Sequence, residues 1–365
     1  MTYDAFYPGA LWLDTNGKPI QAHGGSVLFD GGRYYWYGEN KEFTDGRSGI
    51  WHWGVRCYSS TDLYNWRDEG LIIPPVEDDT SSPLHPTSMM DRPHIIYNSR
   101  TKKYVCWLKI MERDGSQTAT VLTSDKLLGP YSTVRAGLRP LGMSAGDFDL
   151  AGAGDGKAYY YFERVHSETI CADLTEDYTD VTGYYSTHFP HHIGPPFVRE
   201  ATAHFLRRGR HYLITSGTTG YKPNPSEIAA GDTWHGPYTV LGNPHLGDIS
   251  DTSYHSQISS VFKVKGKKDL YIAVADRWIP DHMDWDYHEY MKQYQKWFDP
   301  DFEGEFDPGA WLDDREIDTS RARYVWLPVQ FDGERPYIAW RDKWSLDEFE
   351  NDDEGVEQNA DRPEL

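Results

Sequence analysis

Five polar residues stand at similar distances ahead of five strand-like positions. His23 lies 12 residues before Tyr35, Asp91 14 before Val105, Asp147 13 before Tyr160, Glu200 13 before Leu213 and Gln257 15 before Ile272. Three of the five are carboxylates. Gathered in one partly desolvated mouth, they cannot all ionise at their solution values, so one is raised far enough to donate a proton near neutrality. Cleavage of a glycosidic bond needs such a donor for the departing alkoxide, and a second group that activates water on the opposite face. Glu200, at the head of the run Glu200-Ala201-Thr202-Ala203-His204-Phe205, is the candidate donor. Its plainer reading is an edge carboxylate paired with Arg199. Asp147 is expected to tune the donor, although Asp149 faces the same side of a strand and could take its place. Gln257 either binds sugar hydroxyls or assists the water; as a base, an amide needs an unusual tautomer or a relayed proton. Asp91 either handles the water or pairs with Arg92. Glu39 is a buried acceptor, a substrate contact or a third-choice base. His23 lines the same mouth.

Positioning these groups requires a repeated element, and one is present. A strand, a short turn and a second aromatic-rich strand recur five times: Gly25 to Glu39, Arg92 to Lys109, Phe148 to Glu163, Glu200 to Ser216 and Ser259 to Asp276. The equivalent second-strand positions Tyr35, Val105, Tyr160, Leu213 and Ile272 are separated by 70, 55, 53 and 59 residues. That period fits a four-stranded blade with its loops. The expected fold is therefore an all-β, five-bladed propeller whose first strands line a central channel. A β-meander sandwich is the rival, but it has no reason to repeat five times. Turn-plus-aromatic segments such as Ser59 to Trp66 and Gly231 to Tyr238 read as blade ends. Residues 1–345 are expected to form one catalytic domain. Within it, 279–320 is an insertion, irregular or shortly helical at Met283 to Phe298, and 346–365 is an acidic tail with little to bury.

Aromatic residues make up 15% of the 365, with 26 Tyr and 14 Trp, which suits half-buried strands and also flat platforms for sugar rings. Trp36, Tyr37, Trp107, Tyr221, Tyr254, Trp278 and Trp326 are the candidates for an aromatic wall, and Arg199 for a substrate contact beside Glu200. The formal net charge of −21 argues against nucleic acid and anionic membranes as partners and leaves a small, neutral carbohydrate. Cys57, Cys106 and Cys171 lie far apart without metal spacing and read as buried free thiols. No metal or other cofactor is expected. His191-His192 reads as surface loop. The first residues carry neither a basic segment nor a signal-length apolar run, which gives a cytoplasmic expectation.

The motifs Ala22-His23-Gly24-Gly25, Trp36-Tyr37-Gly38-Glu39, Asp91-Arg92-Pro93, Arg199-Glu200-Ala201, Tyr212 to Gly217, Ser256-Gln257 and Asp276-Arg277-Trp278 occur in order. Together they resemble glycoside hydrolase family 43, and within it the exo-β-1,3-galactanase branch. The resemblance implies an inverting, exo-acting glycosidase that releases galactose. It places Glu200 as general acid and Asp147 as the aspartate that raises and orients it. It also implies that the usual first-blade base is missing, since His23-Gly24-Gly25 occupies that place. Gln257 or Asp91 is then left to manage the water, Asp91 being one methylene shorter than the branch's glutamate. Other specificities of the family (arabinofuranosidase, xylosidase, galactofuranosidase) and a non-catalytic sugar-binding propeller are the alternatives.

Overall fold

The computed structural model describes residues 2–190, 196–297 and 317–352. Five antiparallel sheets follow one another along the chain. Blade one is β1 (His23–Asp30), β2 (Arg33–Glu39), β3 (Val55–Ser60) and β4 (Arg67–Ile73). Blade two is β5 (Met89–Asn98), β6 (Lys103–Met111), β7 (Gln117–Ser124) and β8 (Ser132–Leu138). Blade three is β9 (Ala145–Gly152), β10 (Ala158–Arg164), β11 (Glu168–Leu174) and β12 (Val181–His188), and blade four is β13 (Glu200–Arg207), β14 (Arg210–Ser216), β15 (Glu227–Gly231) and β16 (Thr239–Gly242). In blade five the two-residue β17 (His245–Leu246) lies parallel to the outer strand, β18 (Gln257–Lys263) and β19 (Tyr271–Arg277) are innermost, β20 (Arg323–Tyr324) pairs with β19, and β21 (Leu327–Asp332) and β22 (Arg335–Ala339) complete the sheet. The five hairpins read from the repeat are the inner strand pairs of a five-bladed propeller. The turn-plus-aromatic segments fall between third and fourth strands rather than at blade ends.

Each sheet is covered on both faces by neighbouring blades, so both rows of its alternating side chains turn apolar. Tyr37, Cys57, Ile95 and Cys106 fill the space between blades one and two, and Val105, Trp107, Phe148 and Tyr160 that between blades two and three. Trp36, Phe205, Ile272 and Trp326 belong to a larger cluster through blades four, five and one. This corrects four residues of the expected sugar wall. Trp36, Tyr37, Trp107 and Trp326 are all within 1% of complete burial, and Trp36 packs on Trp326 and Tyr324 at ring distances of 4.5 Å. Strand alternation had sent them between blades, away from the channel. The ring closes through the N-terminal segment: Phe6 bridges to and stacks on Trp344, and the Ala22 amide donates to the Tyr324 hydroxyl.

A shared irregularity aims the channel-facing residues. In every blade the first strand carries a bulge at or just after its leading polar residue: the pairing register shifts between His23 and Ser26, Asp91 and His94, Ala145 and Phe148, Glu200 and Ala203, and Ile258 and Ser260. A bulge sets two residues against one, bends the strand and re-aims the side chain beside it. Arg92 and Ala201 reach φ of +54° and +48° to make this turn. In blade one the same place is filled by Gly24 and Gly25. A Cβ on Gly25 would lie 1.9 Å from the Tyr37 carbonyl oxygen, so only glycine allows the two backbones to meet.

The insertion forms α1 (Tyr287–Trp297), capped where Asp286 accepts the Glu289 amide. Its buried Tyr290 and Tyr294 are one turn apart, and Trp285 ahead of it donates its indole N–H to the Pro223 carbonyl. The expected tail starts later than residue 346. Leu346 and Phe349 pack on the core, and Lys267 bridges to Asn351, so this stretch clamps the β18–β19 turn. The rest of that tail, from residue 353, and His191-His192 lie outside the described residues.

Candidate active site

The leading residues of four blades meet at one mouth of the channel in an alternating array of charges. Asp147 faces Arg92 Nη2 and Lys109 Nζ, each at 2.8 Å, and Lys109 also reaches Asp91 Oδ2 at 3.2 Å. Asp91 Oδ1 accepts the Trp51 indole N–H at 2.7 Å and lies 3.8 Å from Lys41. Lys41 pairs in turn with Glu39 at 3.0 Å, and Glu39 accepts the Arg92 amide at 2.9 Å. Arg92 therefore pairs with Asp147 and not with Asp91.

Burial and neighbouring charge divide these carboxyls into two protonation states. Burial, reinforced by the charges of Asp147 and Glu163, pushes Glu200 well above the usual carboxylate range. Burial acts on Asp147 and Asp91 too, but is outweighed: Arg92 and Lys109 hold Asp147 low, and Lys109, Lys41 and the Trp51 N–H hold Asp91 low. Burial raises Glu39 to about 7 despite Lys41. Asp149, also raised to about 7 by burial, accepts the His204 and Leu150 amides at 2.7 and 2.8 Å. It is engaged in holding blade four to blade three, so the two aspartates do not share one role.

Glu200 is the one of these carboxylates that is part-buried and not fully buried. Gln257 adjoins it. The amide nitrogen of Gln257 donates to Ser216 Oγ at 2.9 Å and lies 3.4 Å from Glu200 Oε1, while its oxygen accepts from Arg92 and, at 3.2 Å, from the Trp278 indole. Both N–H bonds and both lone pairs of the amide are thus in use. His23 is likewise committed: Nδ1 meets Asp276 Oδ1 at 2.9 Å and Nε2 the Tyr324 hydroxyl at 3.2 Å. That removes it from the expected substrate contacts.

Two other expected contacts also lie elsewhere. Arg199 donates to the Thr215 hydroxyl and carbonyl at 3.0 and 2.7 Å, pinning β13 to β14 instead of pairing with Glu200. The Tyr254 hydroxyl donates to the Leu246 and Ile338 carbonyls at the outer edge of blade five. Tyr221 and Trp278 stand beside Gln257, with Trp278 buried. Their rings lie 5.0 Å apart, and Trp51 stacks on Tyr221 at 5.9 Å with Lys41 Nζ 4.6 Å from the Trp51 ring. A narrow opening lies beside Gln257, lined among others by Tyr221, Asn224, His255, Trp278 and His282. Among the described residues, no cluster of three or more His, Cys, Asp or Glu is arranged to hold a metal ion.

Sequence reasoning missed Lys41, Trp51, Lys109, Glu163 and Asp276. Three of these were within reach. Lys109 pairs across the ladder with Asp91 and Asp276 with Gln257, and Glu163 stands opposite the bulge at Asp147. The residue that closes each hairpin of the repeat thus stands across from a leading residue or from the bulge beside it, as Glu39 does from His23 and Ser216 from Glu200. Lys41 and Trp51 come from the β2–β3 loop, where no periodicity marks them.

Comparison with known proteins agrees with this geometry. The profile of glycosyl hydrolases family 43 matches residues 19–297. No curated protein matches the chain. Among solved structures, a GH43 β-1,3-galactosidase is 30% identical with a TM-score of 0.76, over 95% of this chain and 65% of the other. A second GH43 β-1,3-galactosidase, solved with galactodeoxynojirimycin, is 29% identical with a TM-score of 0.74, over 93% of this chain and all of the other. The exo-β-1,3-galactanase 1,3Gal43A from Clostridium thermocellum is 26% identical with a TM-score of 0.72, over 93% of this chain and 66% of the other. The chain thus spans less than two thirds of the length of the first and third of these. A profile match over about three quarters of the sequence is decisive at the level of family: the chain belongs to glycosyl hydrolase family 43.

Proposed function

We propose that the protein is an exo-acting, inverting glycosidase that releases galactose from the non-reducing end of β-1,3-linked galacto-oligosaccharides. The observation that carries the chemistry is the placing of cations: Arg92 and Lys109 hold Asp147, and Lys109 and Lys41 face Asp91, whereas Glu200 pairs with no cation among the described residues and burial raises its pKa. Acid and base assignments follow from carboxyls whose surroundings drive their pKa values apart. Glu200 donates its proton to the departing sugar oxygen. Asp147, held by Arg92 and Lys109, keeps that proton on Glu200 until the bond begins to break. Asp91, ionised and gripped at both oxygens, orients the attacking water and takes its proton.

Gln257 serves binding and orientation. The imidic-acid tautomer that would make it a base carries a proton on Oε1, which here lies between two N–H donors, Arg92 and Trp278. Trp51, Tyr221 and Trp278 form the sugar platform, in place of the four aromatics buried between blades. Galactose and the β-1,3 linkage are supported by the two β-1,3-galactosidases at 29 and 30% identity.

Incubation with the methyl β-glycoside of β-1,3-galactobiose, whose leaving group is methyl β-galactoside and so adds no free galactose, followed by proton NMR of the anomeric signals, tests the proposal. α-Galactose should appear first, and Glu200→Gln should slow release by about 10²–10⁴-fold. β-Galactose as first product would exclude inversion. Intact galactobiose beside a cleaved arabinofuranoside would move the enzyme to another specificity of the family. Sugar binding without turnover, unaltered in Glu200→Gln, would make it a sugar-binding propeller.

A further inference from the structure

We propose that Glu163 is a positioning residue for the proton transfer: its buried negative charge, beside Asp147 and anchored by His166, keeps the proton on Glu200 until the leaving oxygen takes it. The inference deepens the glycosidase reading above and rests on Glu200 being its acid. It starts from a placement. Near the end of β10 the ladder pairs Phe162 with Phe148 and Arg164 with Ala145, so Glu163 faces the two bulged residues Gly146 and Asp147. The approach is close: a Cβ on Gly146 would lie 2.3 Å from Glu163 Oε2. Glycine at 146 lets the carboxylate press on the strand one residue ahead of Asp147.

Glu163 is 1% exposed, and a carboxylate so deeply buried ordinarily has a permanent cation for a partner. Here the nearby cations are spent elsewhere. Lys109 serves Asp147 at 2.8 Å and Asp91 at 3.2 Å, and Arg164, next to Glu163 in sequence, turns outward to Glu168 at 3.0 Å. Among the described residues the one ion-pair partner of Glu163 is His166, whose Nδ1 meets Oε1 at 2.9 Å from the turn between β10 and β11. Gln117 of β7, on the same side of Gly146, is neutral. The His166 side chain is 44% exposed, so it exchanges protons with solvent while the carboxylate it holds does not.

Glu200 faces two negative groups, Asp147 and Glu163, against Lys109, Arg92 and Arg199. Arg92 and Lys109 are paired with Asp147, and Arg199 with the Thr215 hydroxyl and carbonyl. The charge on Glu163 is therefore the one offset by nothing but a titrating histidine. The bond to Glu163 raises the His166 pKa, and above that value the imidazole is neutral and the carboxylate stands alone. A nearby like charge favours the protonated form of a buried carboxyl. The hold on the Glu200 proton thus tightens as pH rises, which is when the proton would otherwise be lost.

The test separates charge from anchorage. Glu163→Gln keeps an oxygen for the His166 N–H and removes the charge; His166→Ala removes the hydrogen bond and keeps the charge. Two quantities are read on the full chain: the alkaline limb of kcat/KM for β-1,3-galactobiose and, with no substrate present, the carboxyl-carbon NMR shift of Glu200 through a pH titration, assigned by its absence in Glu200→Gln. Glu163→Gln should lower the Glu200 pKa and the alkaline limb together by about one unit, an about tenfold loss of activity above the limb with KM within about threefold. His166→Ala should not move either toward acid pH. A Glu200 pKa that is raised in the wild type and indifferent to Glu163→Gln overturns this proposal alone, as do equal losses at every pH in both variants. A wild-type Glu200 that titrates near the ordinary value of about 4.3 overturns the acid assignment and this proposal with it. Should Glu163→Gln not fold, His166→Lys sets a permanent cation beside Glu163 and should lower the Glu200 pKa in the same direction; no shift there overturns the proposal as well.

Discussion

Trp51→Phe isolates the hydrogen bond that bears on the choice of base. The indole N–H reaches Asp91 Oδ1 at 2.7 Å while the ring stacks on Tyr221 at 5.9 Å; phenylalanine keeps a stacking ring and loses only the donor. A hydrogen bond to a charged acceptor is worth about 1.5–3 kcal/mol, and one pKa unit corresponds to about 1.4 kcal/mol, so the Asp91 pKa should rise by about one to two units. Lys109 and Lys41 remain as counter-charges, which favours the lower end of that range. The sign follows from what the donor stabilises: without it, the ionised form loses support and Asp91 holds its proton more tightly. If Asp91 must be ionised to receive the proton of water, the acid limb of the pH profile of kcat/KM moves toward neutrality by about one unit. The alkaline limb, set by Glu200, stays in place, and so does the plateau within about threefold. The assay is galactobiose hydrolysis across that pH range, with Asp91→Asn as a companion that should lose nearly all activity. An acid limb that does not move, or a uniform fall at every pH, refutes the assignment of Asp91.

Asp147→Asn removes the charge that raises Glu200 and leaves Arg92 and Lys109 to lower it, so the alkaline limb should move toward acid pH; it should also cost about 3 kcal/mol in urea denaturation, because two buried cations lose a partner. Trp326→Ala, in the inter-blade core, should cost about 3–5 kcal/mol of stability while leaving KM of the folded protein unchanged. Trp278→Ala should do the reverse, raising KM with a smaller change in melting temperature. Stability should fall on acidification from about pH 6.5 to 4. Burial lowers His52 to about 3 and His94, His188 and His245 to about 4, and a depressed histidine contributes stability that is present above its unfolded value of 6.5 and lost as pH falls through its folded one. Glu39 and Asp149, raised to about 7, and Glu200, raised well above the usual range, act oppositely across the same window but are outnumbered, His204, also lowered by burial, adding to the histidine side. Urea midpoints that are flat or rise between pH 7 and 5 would contradict this balance.

The propeller was legible because its signal is redundant: five hairpins at similar spacing announce a ring even though no single strand is distinctive. The identity of the leading residues came with it, since each stands at the start of a first strand. What periodicity could not convey is which face a side chain takes. Trp36 and Tyr37 are adjacent and alternate, yet the sequence reading placed both on the sugar wall. Both are buried because a blade has neighbours on its two faces and the channel meets only the strand ends. Local bulges were equally invisible, although they re-aim Asp91, Asp147 and Glu200, since Arg92 and Ala201 are not residues whose type advertises a left-handed backbone. The loop residues Trp51 and Lys41 were hidden for a different reason. Their position depends on anchors remote in sequence, such as the Trp51 amide on the Pro86 carbonyl and the Thr319 amide on the Thr44 carbonyl.

Under the proposed mechanism, blade one shows why water handling would fall to blade two. A carboxylate at its mouth would have to stand at residue 23, 24 or 25. Position 23 is locked between Asp276 and Tyr324, so an acid there would meet Asp276 in place of a hydrogen-bond donor. Position 24 has φ +60°, and a Cβ on it would lie 2.4 Å from Glu39 Oε1; position 25 would drive a Cβ into the Tyr37 carbonyl. No acidic side chain fits without moving Glu39, and Glu39 is itself fixed by Lys41 and the Arg92 amide. Glu39 is a poor substitute, because burial leaves it half-protonated near pH 7 and its Lys41 partner spans to Asp91. Asp91 is a carboxylate held at both oxygens and placed by its own bulge, and it faces Lys41 from blade one. Its shortness relative to glutamate is offset by a donor brought to it from above, the Trp51 indole. That makes Asp91→Glu a demanding variant: a longer side chain would displace the Trp51 N–H and Lys109 together. It should lower kcat more than tenfold in the presence of Trp51, and the double variant with Trp51→Phe should recover part of that loss. Additive losses in the double variant would show that Trp51 and Asp91 do not act as a pair.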